Sequence, residues 1–224
     1  MGSGLRGRRV GGALAIVGAA LLLHSGVLGN RGAQPLRYDH TKRWAFVKSP
    51  QRSATELERR LGDVASLVAR RPVQARCEDF SDGKPVEPGG VVQFNGKQPA
   101  DYARIRPDVC TRLVRFIRAP RGAYACVVSR SCAVSMVESA QALTVLAHES
   151  VHLRGIRNEA VTQCYAMQSV PRVARALGAS TEDGRALAAL EYAVDYPHMP
   201  AAYRTAECHS GGSLDLTPGT GWWR

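Results

Sequence analysis

Val137-Glu138-Ser139-Ala140-Gln141-Ala142-Leu143-Thr144-Val145-Leu146-Ala147-His148-Glu149-Ser150-Val151-His152 contains neither Gly nor Pro and spaces its apolar residues as a helix does. It closes on H-E-x-x-H. Positions i and i+4 of a helix share one face about a turn apart, so the imidazoles of His148 and His152 can reach a single ion. Glu149 then stands beside the open coordination position. The segment predicts a zinc-bearing helix with Glu149 as general base. The competing reading is an amphipathic helix with two surface histidines and a glutamate.

The next residues favour zinc. Leu153-Arg154-Gly155 places a glycine where a helix can end in a left-handed turn. Asn158 is a suitable N-cap for a second helix, opened by Glu159 and rich in good helix formers to about Leu177. Glu159 is thereby expected near the two histidines. Two His, one Glu and a water make a catalytic Zn²⁺ set.

Glu159, Thr162, Tyr165 and Ala166 stand at the positions of E-x-x-A-x-x-[FY]-A, and with H-E-x-x-H they make residues 137–168 resemble the gluzincin metallopeptidases. The resemblance implies zinc held by His148, His152 and Glu159, with Glu149 taking a proton from the attacking water and passing it to the leaving amine. The connection from Leu153 to Asn158 is shorter than in most of that family and must turn sharply at Gly155. Where many gluzincins carry an acid that orients a ligand imidazole, this chain has Gln163, whose amide oxygen can accept the same N–H. The resemblance also implies a second donor for the developing oxyanion, for which Tyr192 and His198 are preferred among Tyr165, Tyr192, Tyr196, His198 and His209. An extended peptide is expected along an edge strand, for which Ala123 to Ser129 is the candidate. A metzincin-like alternative fits His148, Glu149, His152 and Gly155, with Asn158 at the third ligand position and Met199 at a downstream methionine turn.

The N-terminus points outward. Arg6, Arg8 and Arg9 precede an uncharged run from Val10 to Leu28, which reads residues 1–30 as a signal peptide or a membrane anchor. Either way the motif region is expected outside the cytoplasm, exported as a secreted or membrane-anchored protein. All six cysteines, Cys77, Cys110, Cys126, Cys132, Cys164 and Cys208, follow that run and form no C-x-x-C pair, so three disulfides are expected rather than a cysteine metal site. Cys126 with Cys132 would close a hairpin around Ser129-Arg130-Ser131. Cys164 with Cys208 would tie the glutamate helix to the C-terminal region.

The remaining chain of about 190 residues suits one domain. Residues 31–53 read as a basic linker, 54–209 as the metallopeptidase-like domain and 210–224 as a flexible Gly-rich tail. Thr55 to Arg71 predicts a first helix, with Leu57, Leu61, Val64, Leu67 and Val68 on one face, stopped by Pro72. From Val73 to Ser135, frequent Gly and Pro predict a small sheet, with strands at Val91 to Phe94 and Ala123 to Val128. The rest is helical, including Thr181 to about Tyr196 and a short helix around Ala201 to Cys208. The expected class is α+β, a small N-terminal sheet region packed against a mainly helical C-terminal half.

The net charge is +11, and arginines 104, 106, 112, 115, 118, 121 and 130 crowd one stretch with Asp108 as its only acid. Outside a cell such a stretch would meet anionic envelope polymers or lipid head groups. No nucleic-acid-binding motif accompanies it, which argues against that partner. The function expected is hydrolysis of peptide bonds in a peptide or protein substrate. The alternative is a binding module of the envelope, either zinc-containing but catalytically silent or merely basic and disulfide-stabilised.

Overall fold

The computed structural model describes residues 52–80 and 89–220. The N-terminal apolar run, nearly all of the basic linker and Trp222-Trp223 lie outside them. No helix among the described residues is long and apolar enough to cross a membrane.

Thr55 opens the first helix, α1 (Glu56–Ala69), with a reciprocal cap: its hydroxyl accepts from the Glu58 amide at 3.2 Å and the Glu58 carboxylate accepts from the Thr55 amide at 2.8 Å. The expected apolar face is buried through Leu61, Val64 and Val68, whereas Leu67 is half exposed. Arg70 ends the helix in a left-handed conformation two residues before Pro72.

The sheet is small, as expected. Strands β1 (Gln74–Cys77), β2 (Gly90–Val91), β3 (Phe94–Asn95), β4 (Gln98–Pro99) and β5 (Tyr102–Ile105) form two groups. β5 is central, parallel to β1 and antiparallel to β2, and β3 pairs with β4 as a hairpin. The single strand expected over Val91 to Phe94 is divided between β2 and β3. β2 is left as an edge strand.

Two helices were not expected. α2 (Pro107–Arg118) begins on a proline at its first turn and buries Val109, Cys110, Leu113 and Phe116, a one-face pattern hidden in the sequence by the intervening arginines. α3 (Ala123–Ser129) replaces the strand expected at Ala123 to Val128. Val127-Val128 suggested β structure, but the segment buries only Ala123 and docks its N-terminus on Asp183, whose carboxylate accepts from the Tyr124 amide at 2.9 Å. Tertiary context here overrides a weak propensity.

The C-terminal part is built around α4 (Val134–His152). From Ala140 onward it is buried almost all round, as a helix at the centre of a core must be. It packs against α1, α2, α5 (Glu159–Ala176) and α6 (Thr181–Leu190). Leu143, Leu146 and Val151 are completely buried, and each such side chain stabilises the fold by roughly 1.5–3 kcal/mol. α6 runs on into a π-helical turn, Glu191–Asp195, then short 3₁₀ turns at Tyr196–His198 and Ala201–Tyr203, the last in place of a helix to Cys208.

Three disulfides tie these pieces: Cys77–Cys110, Cys126–Cys132 and Cys164–Cys208. Cys126–Cys132 closes the end of α3 rather than a hairpin. Residues 210–220 are not a free tail. Gln168 on α5 donates to the Leu214 carbonyl at 2.9 Å and accepts from the Leu216 amide at 2.7 Å, and Asp215 is buried.

Candidate metal centre

His148 and His152 come from the last turns of α4, and Glu159 is the first residue of α5. The short connection works because Gly155 adopts φ 94° while its amide donates to the His152 carbonyl at 2.8 Å. Asn158 caps α5 by accepting from the Val161 amide at 3.0 Å. That bond commits its oxygen to the cap, and the metzincin-like ligand position passes to Glu159.

Both imidazoles are oriented from behind. His148 Nδ1 lies 2.8 Å from Gln163 Oε1 and His152 Nδ1 lies 2.7 Å from the Ile156 carbonyl oxygen. Since both partners only accept, the hydrogen bonds assign the proton to each Nδ1 and leave a lone pair on each Nε2. Those two Nε2 atoms face one oxygen, Glu159 Oε2, at 3.0 and 3.2 Å. Two lone pairs and a carboxylate oxygen at that range repel one another unless a cation lies among them. Donors bound tetrahedrally to Zn²⁺ at about 2.0–2.1 Å stand roughly 3.3 Å apart, so the set fits that ion. All three ligand atoms lie within 4.8 Å of one another.

Burial pushes Glu159 up, but hydrogen bonds from both histidines overcome it and hold the carboxyl at about 2. For His152, burial acts downward, and the Glu159 bond and the Glu149 charge reverse it to a net rise. The carboxylate and the histidines thus stabilise one another's charge.

Glu149 is 3% exposed, and its Oε2 has no hydrogen-bonding partner among the described residues. Burial raises its pKa, with the two histidines opposing. β2 crosses directly above it: a Cβ on Gly90 would lie 2.5 Å from Glu149 Cγ and 2.9 Å from its Oε1. The backbone can pass this close only without a side chain.

These residues line one cleft of about 760 Å³, within the range of small-molecule and peptide sites. The cleft does not include Tyr192 or His198. Tyr192 donates its hydroxyl to the Cys208 carbonyl at 3.0 Å and stacks on Tyr196, and His198 is exposed. The helical turn that carries Tyr192 away brings Glu191 and Asp195 to the cleft instead. Tyr203 also lines it, its ring 5.7 Å from that of His148. Burial, then Glu159 and Glu149, raise its pKa, so its O–H persists as a donor. Met199 belongs to the cleft wall.

The sequence reading missed Tyr203, Glu191 and Asp195. The spacing of Glu191 and Asp195, i and i+4 in an arginine-rich chain, was a usable signal; nothing local marked Tyr203. The expected arginine field is partly neutralised: Arg106 and Arg112 pair with Asp108, and Arg115 with Glu138.

Compared with protein-family models, curated proteins and solved structures, the chain matches none of them.

Proposed function

We propose that the protein is an exported zinc-dependent peptidase of the gluzincin type. The observation that carries this reading is the convergence of His148 Nε2, His152 Nε2 and Glu159 Oε2, with a buried, partly unpartnered Glu149 beside them in one open cleft. Three disulfides support passage to an oxidising compartment.

Zinc, when bound, polarises a carbonyl and makes water acidic near neutral pH. His148, His152 and Glu159 would hold it. Glu149 accepts a proton from the attacking water and delivers it to the leaving amine, a role suited to a carboxyl whose pKa burial raises. Tyr203, kept neutral, donates its O–H to the developing oxyanion in place of Tyr192 and His198. The edge of β2, which pairs with no further strand among the described residues, takes an extended peptide by main-chain hydrogen bonds alongside Glu149 in place of α3.

The test is zinc content of the oxidised chain from Arg31 onward, in wild type, Glu159→Ala and Glu149→Gln, together with cleavage of a mixed peptide pool. One equivalent in wild type and Glu149→Gln, loss in Glu159→Ala, and cleavage by wild type alone is the expected result. Zinc without cleavage returns the chain to a silent zinc-containing binding module. Absence of zinc leaves only the basic, disulfide-stabilised one.

A further inference from the structure

Glu191 and Asp195 break the charge pattern of this molecule. The chain carries 30 Lys and Arg against 19 Asp and Glu. Of the other acids that line the cleft, Asp108 is matched by Arg106 at 2.9 Å and Arg112 at 3.7 Å, Glu159 is matched by the two histidines, and Glu149 stands beside those histidines. Glu191 is 1% exposed, and its carboxyl has only that of Asp195 to interact with, no other hydrogen-bonding partner standing among the described residues. Asp195, a turn further along the same π-helical segment, is half-buried and held through Oδ1 by Gln141 Nε2 at 3.1 Å. No cation among the described residues pairs with either.

Buried acids are ordinarily paired or hydrogen-bonded, so a pair left unmatched beside a cleft points to something the cleft takes in. We propose that Glu191 and Asp195 form a subsite for a cationic side chain, arginine or lysine, of the bound peptide. That the cation belongs to a peptide rests on the peptidase reading; the subsite itself needs only a guanidinium or ammonium group. Asp195 makes the contact, because it lines the cleft with one oxygen fixed by Gln141, and an arriving cation takes the place of its hydrogen bond with Glu191. Glu191 lies behind it as a second carboxyl. A guanidinium, with five donors in a planar fork, can serve both.

The opposite choice, an acidic substrate group, has less to bind. Arg106 and Arg112 are engaged by Asp108, and Arg157 donates to the Gly96 carbonyl at 3.1 Å while lying over Phe94. Burial and the Asp195 charge raise the pKa of Glu191 well above the carboxylate range. An arriving cation lowers it again by favouring the ionised form. A neutral side chain of the same shape gains neither contact.

The experiment compares two blocked pentapeptides, one with a central arginine and one with citrulline, its neutral near-isostere, by calorimetry on the full chain. The Glu149→Gln background prevents turnover. The arginine peptide is expected to bind about tenfold or more tightly than the citrulline peptide. Asp195→Asn should abolish that preference and Glu191→Gln should reduce it, with melting temperature and zinc content reporting that each variant folds. Equal binding of the two peptides, no binding of either, or a preference that survives both substitutions overturns the subsite. Cleavage of the mixed pool by wild type is read separately. Arginine preference without cleavage keeps the subsite and removes the peptidase; cleavage without the preference does the reverse.

Discussion

Gln163 Oε1 lies 2.8 Å from His148 Nδ1, four residues beyond Glu159 on the same helix, so one turn of α5 supplies both a candidate ligand and the support of another. An amide oxygen fixes the imidazole as a carboxylate does, but it pulls less on the N–H and leaves Nε2 less basic. Gln163→Leu should weaken zinc binding by about 10–100-fold, and Gln163→Glu should equal or exceed wild type. Competition with a chromophoric chelator at fixed pH measures both. An unchanged affinity in Gln163→Leu would mean that the bond positions nothing.

Gly90 sets the place of Glu149. A methyl group there would meet Glu149 Cγ at 2.5 Å, and because Glu149 is buried it has little room to yield. If the proposed peptidase reading holds, Gly90→Ala should keep the zinc content of wild type, since the three atoms nearest that position all belong to Glu149, while peptide cleavage falls by about 100-fold through displacement of the base. Full activity in this variant would show that β2 moves aside freely.

The candidate metal centre was legible as a cluster because its residues are local: His148, Glu149, His152, Glu159 and Gln163 span sixteen positions whose helical spacing fixes their neighbours. Gly155 and Asn158 marked the break between the two helices for reasons of backbone conformation and capping alone. Asp195 and Tyr203 reach the same cleft from a π-helical turn and a 3₁₀ turn, which no periodicity announces. Ala123 to Val128 misled for the opposite reason. Its branched residues suit a strand, yet its place is set by Asp183 and a disulfide, both remote from local propensity.

Cys164 and Cys208 hold the ligand helix to the C-terminal region across 44 residues, a loop whose closure contributes roughly 4 kcal/mol by chain entropy. Cys164 is fully buried on α5, one residue after Gln163. The double variant Cys164→Ala with Cys208→Ala should unfold at a clearly lower temperature and bind zinc more weakly than the corresponding Cys126→Ala with Cys132→Ala pair, which closes only a short exposed turn. Calorimetric scans and chelator competition decide it. Equal losses from the two pairs would show that Cys164–Cys208 has no special hold on the metal site.

Glu58 predicts how the fold responds to acid. Its carboxylate accepts from Arg52, from the Thr55 amide at 2.8 Å and from the Cys77 amide at 2.8 Å, joining α1 to β1. Burial acts to raise its pKa, but Arg52 and the two amides overcome it and hold the group at about 2, below its ordinary 4.5. A depressed folded-state value stabilises the protein fully above the ordinary value and less as pH falls toward 2. Glu58→Gln should therefore cost about 1–3 kcal/mol at neutral pH, through weaker acceptance of three donors. As pH falls from 4.5 to 2 the melting temperature of wild type should drop more steeply than that of the variant, until the two meet. A gap that stays constant over that window would place the acid sensitivity of the fold elsewhere.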